Sequence, residues 1–448
     1  MTYLPLALYL GLFAVAAFAP LRWSVIGFLL LSTIDLGSES ASIGALNTAK
    51  SMVLPVFLLW RFRAYAGHVR LTAAPVAWIL LIVYVAVAST WSLFPAYAIK
   101  LIGHLLGSLL ICMMLLRASK GGFLNMKTVV PVAVGTFAIA TAHWFLLHDW
   151  GGEPDRFSTF AGAQSFAAFL TALYCAVIAS RTLAWPLRLS ISAALIFSLL
   201  INGSRMWLIG FLASTLLAIF VSEVKTWLKV VSFAATVITA SLLILEFYPV
   251  MDWIAAQSGS NRIARAVTDM YGGNYRSRGL GTLNLRKQLF RRTIAGIEQS
   301  SITEIVFGHG TCNGALIAAT ISKYPDPNRA LHDEWLRAFY EWGIIGLILW
   351  LIFIASLVLY AARGVHSIHG DYAKPLLIYL PAFTVGLSGE NIIAGAGNAV
   401  SVGLLMLIAL AGVAHRFVRH SPAIGAAAGW TSDPSSSRAF KAAYPKAL

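Results

Sequence analysis

The chain has 448 residues, of which 58% are hydrophobic and only 11% charged, whereas soluble domains carry about a quarter charged residues. So few charges cannot solvate a protein of this size, and apolar runs such as 73–88 and 230–245 lack the alternating faces of a soluble helix. The net charge of +15 would suggest nucleic acid in a soluble protein, but in a membrane chain Lys- and Arg-rich cytoplasmic loops account for it, and no nucleic-acid partner is expected.

The N-terminus, Met1-Thr2-Tyr3, lacks the basic start of a secretory signal, and Pro20 directly follows the cleavage-like Ala17-Phe18-Ala19, so a retained helix is expected. Apolar spans then fall at 4–19, 23–36, 49–60, 73–89, 97–116, 127–147, 160–180, 187–201, 206–221, 230–247, 339–361, 375–390 and 397–414. They predict an all-α, polytopic integral membrane protein of about 12–13 transmembrane helices. Every second connection is basic: Arg61, Arg63 and Arg70; Arg117, Lys120 and Lys127; Arg181 and Arg188; Lys225 and Lys229; Arg363 and Lys374. These face the cytoplasm, because Lys and Arg resist export. The same parity sends the long loop from Tyr248 to Arg337 outside. Four segments follow: an N-terminal membrane bundle (1–247), a large extracytoplasmic loop with amphipathic helices (248–338), C-terminal membrane helices (339–414) and a basic cytoplasmic tail (415–448) whose composition predicts disorder.

Within the loop, Leu283–Ile297 reads as an amphipathic helix: Leu285, Leu289, Ile294 and Ile297 oppose a basic face of Arg286, Lys287, Arg291 and Arg292. Gly308-His309-Gly310 then marks a turn. Cys112 and Cys175 lie in apolar spans and Cys312 has no evident partner, so neither a disulfide framework nor a metal site is expected. There is no P-loop and no His-Glu-x-x-His, and no cytoplasmic loop is long enough for a nucleotide domain. No cofactor is expected, and energy for any reaction arrives with the substrate or from a gradient.

Four places carry candidate chemistry. Arg205, at the outer start of a span, is either an interfacial anchor or a phosphate ligand, since a guanidinium donates two parallel hydrogen bonds to a phosphate. His332 stands where the loop re-enters the membrane, beside Asp333 and Glu334, and an imidazole there accepts a proton at neutral pH. Glu334 is the alternative base or an orienting group, and His309 is a competing base whose flanking glycines favour a turn role. Lys100, four residues before His104, borders the outer cavity.

The stretch His332, Asp333, Leu336, Glu341, Gly343, Gly346 resembles the signature of the O-antigen ligase and O-antigen polymerase superfamily of bacterial envelopes, a His-Asn-x-x-Leu segment before a helix that starts Glu-x-Gly-x-x-Gly. Asp333 departs from the Asn of that pattern. Ser204-Arg205 matches the family's Ser-Arg at the outer end of an earlier span, and Arg286 with Gly308-His309-Gly310 matches its loop arginine and later Gly-x-Gly. The resemblance runs from Asn202 to Gly346 and implies an inverting, metal-independent glycosyltransferase of the bacterial inner membrane whose active site faces the periplasm. Its donor would be an undecaprenyl-diphosphate-linked glycan. Its acceptor would be a glycolipid such as lipid A core (ligase) or another lipid-linked repeat (polymerase), or, in relatives, protein. Arg205 and Arg286 would bind the diphosphate, with Arg291 on the same basic face as Arg286, and His332 would be catalytic. The rival expectation is a transporter or flippase of lipid-linked sugars, which would place charges near mid-membrane in broken helices.

Overall fold

The computed structural model describes residues 3–34, 41–66, 73–146, 163–202, 204–222, 227, 229, 230, 234, 288–322, 331, 333–365, 370–388 and 399–419. Among them every regular element is helical. The helices are α1 (Tyr3–Phe18), α2 (Leu21–Leu31), α3 (Ala41–Thr48), α4 (Leu54–Arg61), α5 (Arg63–Ala66), α6 (Ala73–Ala88), α7 (Pro95–Lys120), α8 (Met126–Leu146), α9 (Ala163–Ala179), α10 (Trp185–Asn202) and α11 (Arg205–Val221). In the second part come α12 (288–298), α13 (Ile302–Phe307), α14 (Gly314–Ser322), α15 (Glu334–Val365), α16 (Lys374–Leu387) and α17 (Ala399–Arg419).

Apart from 230–247, which lies almost wholly outside the described residues, each predicted span coincides with helix to within a few residues. Among the described residues, four helical stretches are long and apolar enough to cross a membrane: Ala73–Trp91, Pro95–Lys120, Met126–His143 and Glu334–Val365. Two departures have local causes. The span at 49–60 is broken by a π-helical segment, Ala49–Val53, in which buried Lys50 sends its ammonium to the Ile34 carbonyl at 2.7 Å. At the other end of the chain, α17 runs on to Arg419, past the predicted start of the tail.

Helices that are apolar all round belong in the interior. Accordingly α9 is buried without interruption from Phe166 to Val177, and α17 from Val402 to Ala411, and the two pack on each other. Around them lie α7 against α17, α10 and α16 against α9, and α11 against α16. Gly210 of α11 faces Ala382 of α16 so closely that a Cβ would meet the Ala382 backbone at 2.8 Å, a small-on-small contact that brings two helices together. On the periphery α6 pairs with α15 through Trp78, which lies 4.7 Å from Phe353 and 6.1 Å from Trp350 between ring centroids. Their outer faces stay apolar: Val76, Leu80, Val83 and Val87 form an exposed stripe on α6, and Ile344, Ile348, Leu351 and Leu359 form another on α15. Water-soluble proteins rarely expose contiguous apolar surface on this scale.

Basic residues at the far helix ends staple neighbours. Arg61 donates to the Ala17 carbonyl, to Ser24 Oγ at 2.9 Å and to the Ala19 carbonyl at 2.8 Å, closing the α1–α2 corner. Arg117 caps the Leu59 carbonyl at 2.9 Å. Guanidinium donors satisfy carbonyls that a helix terminus leaves without a partner.

Candidate functional site

The site grows from the first turns of α15. Asp333 is its N-cap: Oδ1 accepts from the Trp335 and Leu336 amides, both at 3.0 Å. An Asn or an Asp serves equally there, because both offer a side-chain oxygen to the first free amides. Glu334, Arg337 and Glu341 follow at i, i+3 and i+7, on one helical face. Arg337 Nε sits 3.2 Å from Glu341 Oε2 and Nη1 sits 3.6 Å from Glu334 Oε2. All three side chains are buried, at 4% relative exposure or less. Among the described residues two carboxylates face this one guanidinium, and a carboxylate in a dry interior needs further donors. Glu341 finds them in the amides of Cys312 at 3.0 Å and Gly314 at 3.2 Å. The Arg337 guanidinium also lies 5.9 Å from the centre of the Trp342 ring, within cation–π range.

The donors belong to the turn Gly308–Asn313 and to Gly314, the first residue of α14, and the turn seats itself on α15. Ser301 and Glu304 form a reciprocal capping box at the start of α13, and the helix ends at Gly308 with φ 83°. The His309 amide donates to the Tyr340 carbonyl at 3.0 Å and the Gly310 amide to the Glu341 carbonyl at 2.9 Å. At this point α15 breaks: Gly343 has φ 63° and ψ −165°, a region open essentially to glycine alone. A Cβ on Gly343 would collide with the Val306 carbonyl, and one on Gly308 with the Glu341 carbonyl. The two glycines therefore let two backbones meet where any side chain would part them. The end of α6 completes the knot. Thr311 Oγ1 donates to the Val85 carbonyl at 3.0 Å, the Leu93 amide to Asn313 Oδ1 at 2.9 Å, and Trp91 Nε1 to the Gly308 carbonyl at 3.3 Å.

His309 lies at the rim of this knot, stacked on Tyr340 with ring centroids 4.2 Å apart. Ser300 Oγ lies 2.8 Å from the Gly296 carbonyl, to which it donates, and 2.8 Å from His309 Nε2, with the donor of that second bond set by the imidazole tautomer. The other ring nitrogen, Nδ1, faces Glu304 Oε1 at 3.6 Å. Burial holds the imidazole below its ordinary pKa of 6.5, and the Glu304 carboxylate opposes the shift. Glu304 is itself held below the ordinary carboxylate value, first by the Ser301 hydroxyl, then by the Ser301 amide. The Cys312 thiol is pushed up to about 12 by burial and by the nearby Glu341 charge, against the opposing effect of Arg337.

Of the residues singled out from the sequence, His309 and Glu334 meet in this knot, His309 at its rim and Glu334 in its interior. Arg205 is the first residue of α11, behind the extended, buried Ser204. Arg291 and Lys100 are exposed, on α12 and in the first two turns of α7. On α12 the amphipathic pattern places Leu289 and Thr293 inside and Arg291 and Arg292 outside. His332 and Arg286 lie outside the described residues; Leu331, buried against Gly314, and the N-cap Asp333 flank His332. The pairing of Arg337 with Glu341 escaped the sequence reading, which ended the loop at Arg337, whereas the helix starts at Glu334. The signal was present in the i, i+3, i+7 spacing of opposite charges.

No protein-family model matches this chain, and no curated protein matches it.

Proposed function

We propose that the chain is a polytopic membrane glycosyltransferase that takes a glycan from a polyprenyl diphosphate and passes it to a sugar hydroxyl outside the cytoplasm. The observation that carries this reading is the docking of Gly308-His309-Gly310 on Glu341 and Gly343. Two segments about thirty residues apart, each resembling part of the same ligase and polymerase signature, meet as a single built unit. The exposed apolar stripes of α6 and α15 support insertion in lipid, and the alternation of basic connections supports an outward-facing loop.

The chemistry divides among the residues as follows. Arg205 and Arg286 bind the diphosphate and neutralise the charge that grows on it as the anomeric C–O bond breaks. His332 accepts the proton of the acceptor hydroxyl as that oxygen attacks the anomeric carbon from the opposite face, which inverts its configuration. The Glu334–Arg337–Glu341 set positions rather than reacts: it is sealed from solvent and fixes the start of α15, immediately after His332. The diphosphate leaving group supplies the driving force, so no step consumes ATP.

Gel analysis of surface glycan in a deletion strain tests the reading. Full-length lipid-linked chains that never reach lipid A core identify a ligase, and single repeats on core identify a polymerase. Unchanged surface glycan contradicts both.

A further inference from the structure

A second charged feature lies far from the knot. The α15 helix begins in the knot at Glu334, breaks at Gly343 and runs on to Val365, roughly 33 Å at the helical rise, and a short turn at Gly370–Tyr372 follows. Beside that turn is a pocket of about 580 Å³ between the ends of α9 and α11 and the starts of α10 and α16. Four cations line it: Arg181, Arg188, Lys229 and Lys374. Asp371 is paired with Arg181 Nε at 3.3 Å and with Lys374 Nζ at 3.0 Å. The other two cations bond neutral groups, Arg188 to the Ser180 carbonyl at 3.2 Å and Lys229 to the Phe220 carbonyl at 2.9 Å. Among the described residues, Arg188 and Lys229 therefore bring two positive groups that bond neutral carbonyls into one concavity, and Thr215 and Ser222 add hydroxyls to its wall.

Cations gathered in this way cost free energy through mutual repulsion unless an anion sits among them. The surroundings indicate where that anion comes from. Trp185 and Trp227 are more than 60% exposed beside these elements, and Phe220 is exposed too. Indole rings left open in this way are typical of the membrane–water boundary, where an apolar body and a polar N–H are both accommodated. Ile178 and Ile378 are also among its lining residues, so the pocket offers both charge and hydrocarbon.

We propose that this pocket binds the phosphate headgroup of an anionic membrane phospholipid, with Arg188 and Lys229 as the principal ligands. The assignment rests on the membrane reading alone and is independent of glycan transfer. A basic pocket between helices at the interface selects anionic over zwitterionic lipid because each cation there contributes a further attraction to the lipid's net charge.

The full chain, purified in detergent, is titrated with phosphatidylglycerol, phosphatidylcholine or inorganic phosphate while thermal unfolding is followed. Phosphatidylglycerol should raise the unfolding midpoint saturably and phosphatidylcholine should not. Lys229→Gln should raise the half-saturating concentration about 5-fold, and Arg188→Gln with Lys229→Gln about 30-fold. Arg188→Lys with Lys229→Arg, which keeps both charges, should restore most of the affinity. Equal stabilisation by both lipids, or an unchanged half-saturation in the neutral variants, overturns the proposal. Equal stabilisation by inorganic phosphate reassigns the pocket to a soluble anion and overturns the lipid. Failure of the membrane reading would show separately, as a chain that stays soluble and monodisperse without detergent.

Discussion

Gly343→Ala probes the knot at its tightest point. The alanine would have to occupy φ 63°, ψ −165°, at a cost of about 1–3 kcal/mol for the backbone alone. Its Cβ would also meet the Val306 carbonyl and the Gly308 amide, pushing the 308–313 turn off α15. That displacement threatens the two bonds from His309 and Gly310 to the Tyr340 and Glu341 carbonyls, about 1 kcal/mol each. Together the losses come to roughly 3–5 kcal/mol of local stability. Cys312 reports the opening directly, because its thiol is buried and its pKa is pushed up to about 12 in the closed state. In a background with Cys112→Ala and Cys175→Ala, Cys312 is the remaining thiol, since the chain has 3 cysteines. If labelling requires local opening, Gly343→Ala should speed modification of Cys312 by a maleimide dye about 10²–10⁴-fold. Gly103→Ala on α7 is the control, because a Cβ there meets nothing within 4 Å and the helix gains from the change. A Gly343→Ala protein whose Cys312 labels at the parental rate would refute the reasoning.

Other perturbations test other parts of the account. Arg337→Ala removes the cation that Glu334 and Glu341 both face, and should cost about 3–5 kcal/mol, seen as lost folded yield and a lower unfolding midpoint; an unchanged midpoint would mean that the pairs contribute nothing. His309 has a folded pKa below its ordinary 6.5, so the unfolded chain binds the proton more tightly. The stability it contributes is therefore complete above pH 6.5 and is lost as the pH falls below that value, through the folded pKa. Unfolding midpoints measured between pH 7.5 and 5 should fall more steeply for the wild type than for His309→Gln, and parallel curves would remove His309 from the linkage. For topology, Ser258→Cys in a background with Cys112, Cys175 and Cys312 all changed to Ala should label with an impermeant reagent in whole cells with a permeable outer membrane. Labelling only after lysis would invert the orientation.

The helical spans were legible because hydrophobic length is a strong signal, and the runs that became α9 and α17 needed nothing else. Boundaries were less so. The loop seemed to extend through Arg337 because a stretch with Asp333, Glu334 and Arg337 reads as solvated, whereas the three form a cap and a buried ion set that begin α15 early. The π segment at Lys50 was hidden in an ordinary apolar run, since nothing in its composition marks the extra residue that a carbonyl of a distant segment stabilises. In the site, the glycines at 308 and 343 were legible as turn and motif residues. Their mutual contact was not, because it depends on backbone approach across the whole loop. Nor could spacing alone reveal the basic pocket, whose four cations come from connections that are far apart in sequence and close only after α9, α10, α11 and α16 have packed.

Transfer by the purified protein tests the central claim most directly. With a polyprenyl-diphosphate glycan as donor and a glycolipid acceptor, the wild type should transfer the glycan with inversion and without sensitivity to EDTA. Arg205→Ala and Arg286→Ala should each lose most activity, and Lys at either position should recover only part, because an ammonium lacks the two-pronged phosphate contact. His332→Ala and His332→Gln should lose about 10²–10⁴-fold in turnover while still binding donor. No transfer by the wild type, near-normal turnover by His332→Ala, or strong inhibition by EDTA would contradict the account.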